Sequence, residues 1–194
     1  MRTSIRAAVA AMVLLLLASG CSDGDPSPRD PSSTWSPTGK METPTSAAPD
    51  PVEPDLPAAA KEATEAGARA FIEYYWELIN YAQVTGDVKA LKGVSGPNCE
   101  GCNAGIDGIR NLYRGGGHAT GGAYDTTVKS LAKVPFDAPA ALAYKARVLV
   151  RNKEQAVVNA DGSLETLAPA TNAIVVYLLW VDERWRTDVL VVKS

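Results

Sequence analysis

The chain predicts an α+β fold, with N-terminal helices packed on a curved antiparallel sheet, and three observations carry that expectation. Apolar residues recur at three-to-four spacing between Lys61 and Tyr113, they alternate at a spacing of two from Leu142, and a short polar connection, Asp182-Glu183-Arg184, joins two apolar runs near the end. Helices first and strands afterwards is the order in which helices cover one face of a sheet. The pattern occupies residues 59–194, and roughly 135 residues suit a single hydrophobic core.

What precedes that domain reads differently. Arg2 and Arg6 give a positive n-region, Ala7 to Leu17 an apolar run, and Ser19-Gly20 the small residues that a signal peptidase needs, so residues 1–20 have the order of parts of an export signal. The run is shorter than the about 20 residues of a spanning helix, and Ser22, Asp23 and Asp25 follow at once. Leu14 to Cys21, L-L-L-L-A-S-G-C, resembles a bacterial lipobox, with Ala18 where leucine is commoner. That resemblance implies a diacylglyceryl group on the Cys21 thiol, cleavage before it, and a mature protein held on the outer face of the cell membrane. Two acyl chains anchor stably where one binds marginally, at about 0.8 kcal/mol per buried methylene.

Residues 21–58 are rich in Pro, Ser, Thr and Asp, with Trp35 the only aromatic. Such a segment cannot bury enough apolar surface to offset chain entropy, so a disordered tether is expected. As a flexible chain of about 36 residues it spans roughly 30 Å on average. Its Ser/Thr-Pro content also suits O-glycosylation, although a bare spacer explains the composition as well.

The first helix is expected over Lys61 to Gln83, with Ala63, Ala66, Ala70, Phe71, Tyr74, Leu78 and Tyr81 or Ala82 inward and Glu62, Glu65, Glu73 and Glu77 outward. Gly86 ends it in a left-handed C′ position, and Asp87 caps a short second helix through Leu91. A third helix begins near Asn98 or Cys99, presents Cys102, Ile106, Ile109 and Tyr113 on one stripe, and stops at Gly115-Gly116-Gly117. A weaker strand follows over Tyr124 to Val134, ended by Pro135 and Pro139. Leu142 to Val150 is a half-buried strand, with Arg147 and Arg151 on the face opposite Tyr144, Ala146 and Val148. Asn159-Ala160-Asp161-Gly162 is a turn signal inside the long connection to Ile174. Ile174 to Val181 and Trp185 to Val192 form the closing antiparallel pair.

This order looks like the cone-shaped, nuclear transport factor two-like fold. Within it, residues from about Ala60 to Val192 are similar to an uncharacterised group of actinobacterial secreted lipoproteins carrying a domain of unknown function. The matching residues are Phe71, Tyr74, Asn80-Tyr81-Ala82, Thr85-Gly86-Asp87, Cys99, Cys102 and the glycines after Tyr113. The resemblance implies fold and location; it transfers no activity to any residue.

Candidate chemistry is sparse. With Cys21 spent on lipid, Cys99 and Cys102 remain as an even pair in a compartment where disulfides persist. Three residues apart at a helix start, they lie on one face within bonding reach. A redox site would gain from the helix N-terminus but lacks the preceding strand of a βαβ unit. Zinc needs about four ligands, and Cys99, Cys102 and His118 supply three. A structural disulfide that pins the helix start is the expectation, with no metal and no cofactor. His118 is the single imidazole, in a glycine-rich loop that is neither a phosphate loop nor a dinucleotide fingerprint.

Folds of the cone-shaped kind often enclose a pocket in which an Asp-His pair or a lone Asp acts as base, yet no spacing pairs Asp125, Asp137 or Asp188 with His118. The aromatic set Tyr74, Tyr75, Trp76, Tyr81, Tyr144, Trp180 and Trp185 reads as core before it reads as a pocket lining. Net charge is −3 and no basic block is present, so nucleic acid is not an expected partner. The expectation is a non-enzymatic, lipid-anchored envelope module that binds an envelope protein or an apolar small molecule. The alternative is a small-molecule-binding or isomerase-like protein with a pocket at Tyr74, His118 and Tyr144.

Overall fold

The computed structural model describes residues 50–135 and 142–193. The expectations for the export signal (1–20), for Cys21, for the tether as far as residue 49 and for Asp137 lie outside them. The described residues form the expected α+β arrangement of three helices and seven strands, with the helices against antiparallel sheet.

The chain enters the domain along Leu56, which packs against the core, and through a 3-10 turn, Ala58–Lys61. Helix α1 spans Glu65–Thr85 rather than starting at Lys61, because Thr64 is its N-cap: the Thr64 hydroxyl accepts from the Gly67 N–H at 3.0 Å. Gly86, at φ 76°, closes α1 by donating to the Ala82 carbonyl, and the Tyr113 ring stands where its Cβ would be. The buried face is broader and differently placed than the sequence pattern suggests. Ala63 and Ala66 are exposed, whereas Ile72, Tyr75 and Trp76 join Phe71, Tyr74 and Leu78 in the interior. Contacts with α2, β1 and β2 explain the width, since a helix covered on several sides buries more than one stripe. Helix α2 is Lys89–Gly93, with Asp87 Oδ1 accepting from the Lys89 N–H at 2.9 Å. Helix α3 is Glu100–Arg114, capped by Cys99.

The main sheet has the antiparallel order β2-β3-β6-β7, from Tyr124–Val134, Leu142–Asn152, Ala170–Val181 and Arg184–Lys193. Its hairpin β6–β7 turns on Asp182 and Glu183, both at positive φ, as a two-residue turn between right-twisted strands requires. Where the sequence suggested one sheet, there are two: β1 (His118–Gly121), β4 (Gln155–Val158) and β5 (Leu164–Leu167) form a second, in the order β1-β4-β5. The glycine-rich segment around His118 is therefore partly a strand, paired His118 to Val158. The signal at Asn159 to Gly162 is the turn of the β4–β5 hairpin.

The core lies between the helices and the inner face of the main sheet, where Phe71, Ile72, Leu78, Val148, Val150, Leu178 and Trp185 are fully buried. Two devices hold the helices there. The Asn80 side chain donates to the Tyr124 carbonyl at 3.0 Å and accepts from the Tyr124 N–H at 2.8 Å, fastening α1 to the start of β2. The other is a missing side chain: at Gly101 a Cβ would meet the Leu190 carbonyl oxygen, so only glycine lets α3 lie this close to β7. Gly105, one turn on, has open space instead.

These two glycines make opposite predictions. Gly101→Ala should destabilise the protein by about 1–3 kcal/mol through overpacking. Gly105→Ala should be neutral or stabilise by up to about 1 kcal/mol through helix propensity. Urea unfolding of both variants checks the pair, and equal midpoints would contradict the seating of α3 at Gly101.

Candidate functional site

The interface between helices and sheet is not filled throughout. A cavity of about 240 Å³ lies between α1, α3 and the main sheet. Helix α1 contributes Tyr75, Trp76 and Ile79, which share a face because they recur at helical spacing beside the Phe71–Tyr74–Leu78 stripe. Helix α3 contributes Ile106 and Ile109, with Gly105 leaving open space beside them. The sheet supplies Tyr124, Val150, Ile174 and Leu190, and Asn172 and Val192 stand at its exposed margin.

The lining is apolar with a few fixed polar groups, the usual composition of a small-molecule site. The Trp76 and Tyr124 rings meet at 5.3 Å. The Tyr75 hydroxyl lies 3.0 Å from Ser95 Oγ, which itself donates to the Leu91 carbonyl at 2.8 Å, so the phenol is oriented from outside the cavity. Burial pushes the Tyr75 hydroxyl up to about 12, against an opposing contribution from the Ser95 hydrogen bond. Burial also raises Tyr124. Both phenols are therefore protonated at neutral pH and act as hydrogen-bonding groups, not bases. No carboxylate or imidazole is among the lining residues.

The three residues singled out as a pocket are placed elsewhere. Tyr74 is buried beside Phe71 with ring centroids 6.4 Å apart, Tyr144 faces Trp185 at 5.9 Å, and His118 is exposed at the start of β1. None of them lines this cavity. Asp188 is held by Arg186 at 2.6 and 3.0 Å, and Asp125 is exposed on β2. The sequence did contain a signal for the lining of this cavity: Tyr75, Trp76 and Ile79 belong to a second apolar stripe on α1, beside the one read first.

Cys99 and Cys102 form a disulfide. Cys99 is 1% and Cys102 4% exposed, with Cys102 Sγ 3.7 Å from the Thr187 carbonyl oxygen beneath β7. A thiolate that opens a disulfide must reach one sulfur, and burial denies that approach, which favours the structural reading of the pair. Among the described residues no group of three or more His, Cys, Asp or Glu is placed to hold a metal ion.

A second concavity, wider and open, lies where α2 meets the end of α3. It measures about 480 Å³ and carries Lys89, Lys92, Arg110 and Arg114, with Arg110 paired to Asp107 at 2.8 Å. The run Thr85-Gly86-Asp87 borders it and has a structural account: Thr85 bonds the Tyr81 carbonyl, Gly86 accommodates Tyr113, and Asp87 caps α2.

Tyr75 gives a pH signature. Its folded-state value lies above the ordinary 10.0, so the folded protein favours the protonated phenol; that stability is complete below pH 10 and is lost as pH rises toward 12. Relative to a Tyr75→Phe variant, the parent should therefore lose stability across that window, beyond a constant offset for the lost Ser95 bond. Thermal melts at a series of pH values measure the difference, and parallel curves would mean that the phenol is not buried in solution.

Comparison with known proteins gives a family and no activity. No curated protein matches the sequence. Among solved structures, the chain is similar to the intermembrane space region of the chloroplast protein ARC6 (12% identity, 69% of this chain and 98% of that one, TM-score 0.49). It is also similar to Aln2 from a Streptomyces species (13%, 69% and 94%, TM-score 0.38). A third is a putative calcium/calmodulin dependent protein kinase II association domain from Xanthomonas campestris (6%, 74% and 96%, TM-score 0.41). At such TM-scores these likenesses carry no argument. The sequence match does: the model of the family of unknown function DUF6318 covers residues 37–190, and the chain belongs to that family.

Proposed function

We propose that this protein is a lipid-anchored extracytoplasmic module that binds an apolar small molecule and carries out no chemistry on it. The observation that carries the binding half is the cavity between α1, α3 and the main sheet. Its volume of about 240 Å³ exceeds the about 150 Å³ of an engineered apolar cavity that takes up benzene. Its rings and aliphatic side chains supply burial, while Tyr124 and Asn172 bring polar residues to the lining. The titratable groups in the lining are phenols held in their protonated form, which supports binding over an isomerase-type proton abstraction.

The anchoring half rests on residues 1–21, whose n-region, apolar run and terminal Cys21 support export and lipidation. A buried disulfide agrees with an oxidising compartment. Three helices leading into a four-stranded antiparallel sheet, with a cavity between them, support the nuclear transport factor two-like reading of the fold.

Each half has its own test. For the cavity, the neutral dye N-phenyl-1-naphthylamine should bind one to one with a saturable rise in fluorescence. Ile106→Phe and Val150→Leu, which fill the cavity from opposite sides, should each abolish that rise while leaving the far-ultraviolet circular dichroism unchanged. Native mass spectrometry of protein drawn gently from its own membrane would name a retained ligand; no ligand and no dye binding would sink the cavity reading. For the anchor, Cys21→Ala should move the protein from the detergent phase to the aqueous phase on Triton X-114 partition, and unchanged partition would refute lipidation.

A further inference from the structure

The outer face of the main sheet, turned away from helices and cavity, has a chemistry of its own. Along β3 the residues Tyr144, Ala146, Val148 and Val150 are buried, so Lys145, Arg147 and Arg151 alternate onto the other side. Register sets Arg147 opposite Val175 and Lys145 opposite Tyr177 on β6, and these in turn opposite Val191 and Val189 on β7. Lys193 stands opposite Ala173 at the end of β7, and Lys129 at the bulge of β2. The centre is a depression of about 380 Å³ walled by Lys145, Arg147 and Lys193, with Ala173 and Val175 lining it. Beside it Val189 and Val191 are 38% and 46% exposed, and the Lys145 ammonium lies 5.5 Å over the Tyr177 ring.

The charges on this face are segregated. The ion pairs among the described residues involve Arg69, Arg110 and Arg186, so none engages Lys129, Lys145, Arg147, Arg151 or Lys193. Among the described residues, Asp125, opposite Arg151, is the carboxylate within the cationic part. Asp182, Glu183 and Asp188 sit toward the β6–β7 turn, where Asp188 is engaged by Arg186. A chain of net charge −3 has thus gathered cations around an exposed apolar strip.

We propose that this face is a docking surface for anionic phospholipid, centred on Lys145, Arg147 and Lys193. Charge complementarity selects the occupant. A second copy seated face to face would set cation against cation, which opposes pairing. A bilayer of anionic lipid supplies phosphates for the Lys and Arg side chains and an interfacial layer for Val189, Val191 and Tyr177. The inference rests on the lipid-anchored reading for the nearness of the bilayer: a tether reaching roughly 30 Å keeps the face at high effective concentration beside it, so that weak contacts suffice. The chemistry of the face does not depend on that reading.

The test removes the anchor, so that the two claims fail separately. The mature chain from residue 21 with Cys21→Ser is sedimented with vesicles of phosphatidylglycerol and phosphatidylcholine in equal parts, and with vesicles of phosphatidylcholine alone. Binding is expected to the first and not the second, and to disappear at high salt. Lys145→Glu with Arg147→Glu should weaken it by about tenfold or more. Lys193→Glu alone should weaken it less, and Lys89→Glu with Lys92→Glu, in the other cationic concavity, should leave it unchanged. Equal binding to both vesicles, no binding to either, or sensitivity to the Lys89 and Lys92 pair instead would overturn the proposal. Binding to poly-glutamate without binding to vesicles would overturn it too, assigning the face to an acidic protein.

Discussion

The seating of α3 against β7 is the constraint on which the rest of the domain depends. Two independent features fix it: the absent side chain of Gly101 over the Leu190 carbonyl, and the hydrogen bonds that tie the preceding loop to β7. In the last of these the Gly96 N–H donates to the Thr187 carbonyl at 2.7 Å and the Thr187 N–H donates to the Val94 carbonyl at 2.9 Å. β7 is an edge strand, whose unpaired backbone would otherwise invite pairing with another chain. Here the loop and helix cover part of that edge, and the same contact sets the width of the cavity beside it.

The cavity is thus a consequence of how rigid elements are spaced, and not of a gap in an otherwise loose core. At one end of α1, Asn80 clamps β2, and at the same level Gln83 accepts from the Gln155 side chain at 3.1 Å while its carbonyl accepts from the Tyr113 hydroxyl at 3.0 Å. These polar bonds link α1 to both sheets and to α3. With the C-terminal part of α1 and the start of α3 fixed, side chains of ordinary length do not close the space between them, and the neighbours cannot collapse into it without breaking these part-buried hydrogen bonds.

Much of this was legible in the sequence, for identifiable reasons. Long periodic segments declared themselves: α1, α3, β2, β3 and the β6–β7 pair emerge within a few residues of their expected positions, as do the stop at Gly86, the cap at Asp87 and the Cys99–Cys102 pairing. The second sheet was not legible. His118-Ala119-Thr120-Gly121 is short and glycine-bounded, and every residue of Leu164–Leu167 is exposed, so neither carries an alternating pattern. The cavity was missed because two apolar stripes run side by side on α1. Period alone shows that both are inward, and only the position of α3 decides which one borders open space. Tyr74 and Tyr144 are aromatic residues at inward positions, as expected, but tertiary packing placed each against another ring.

The Trp185 indole donates to the Glu62 carbonyl at 2.9 Å, joining the last strand of the domain to the segment by which the chain enters it. Mechanically, this makes the entry point and the closing strand a single fastening. A pull arriving along residues 50–57 is met first by that bond and by the packing of Leu56 and Ala60, so it loads β7 through its largest buried side chain before any turn of α1 is stretched. A domain built this way resists peeling from the end at which tension is applied.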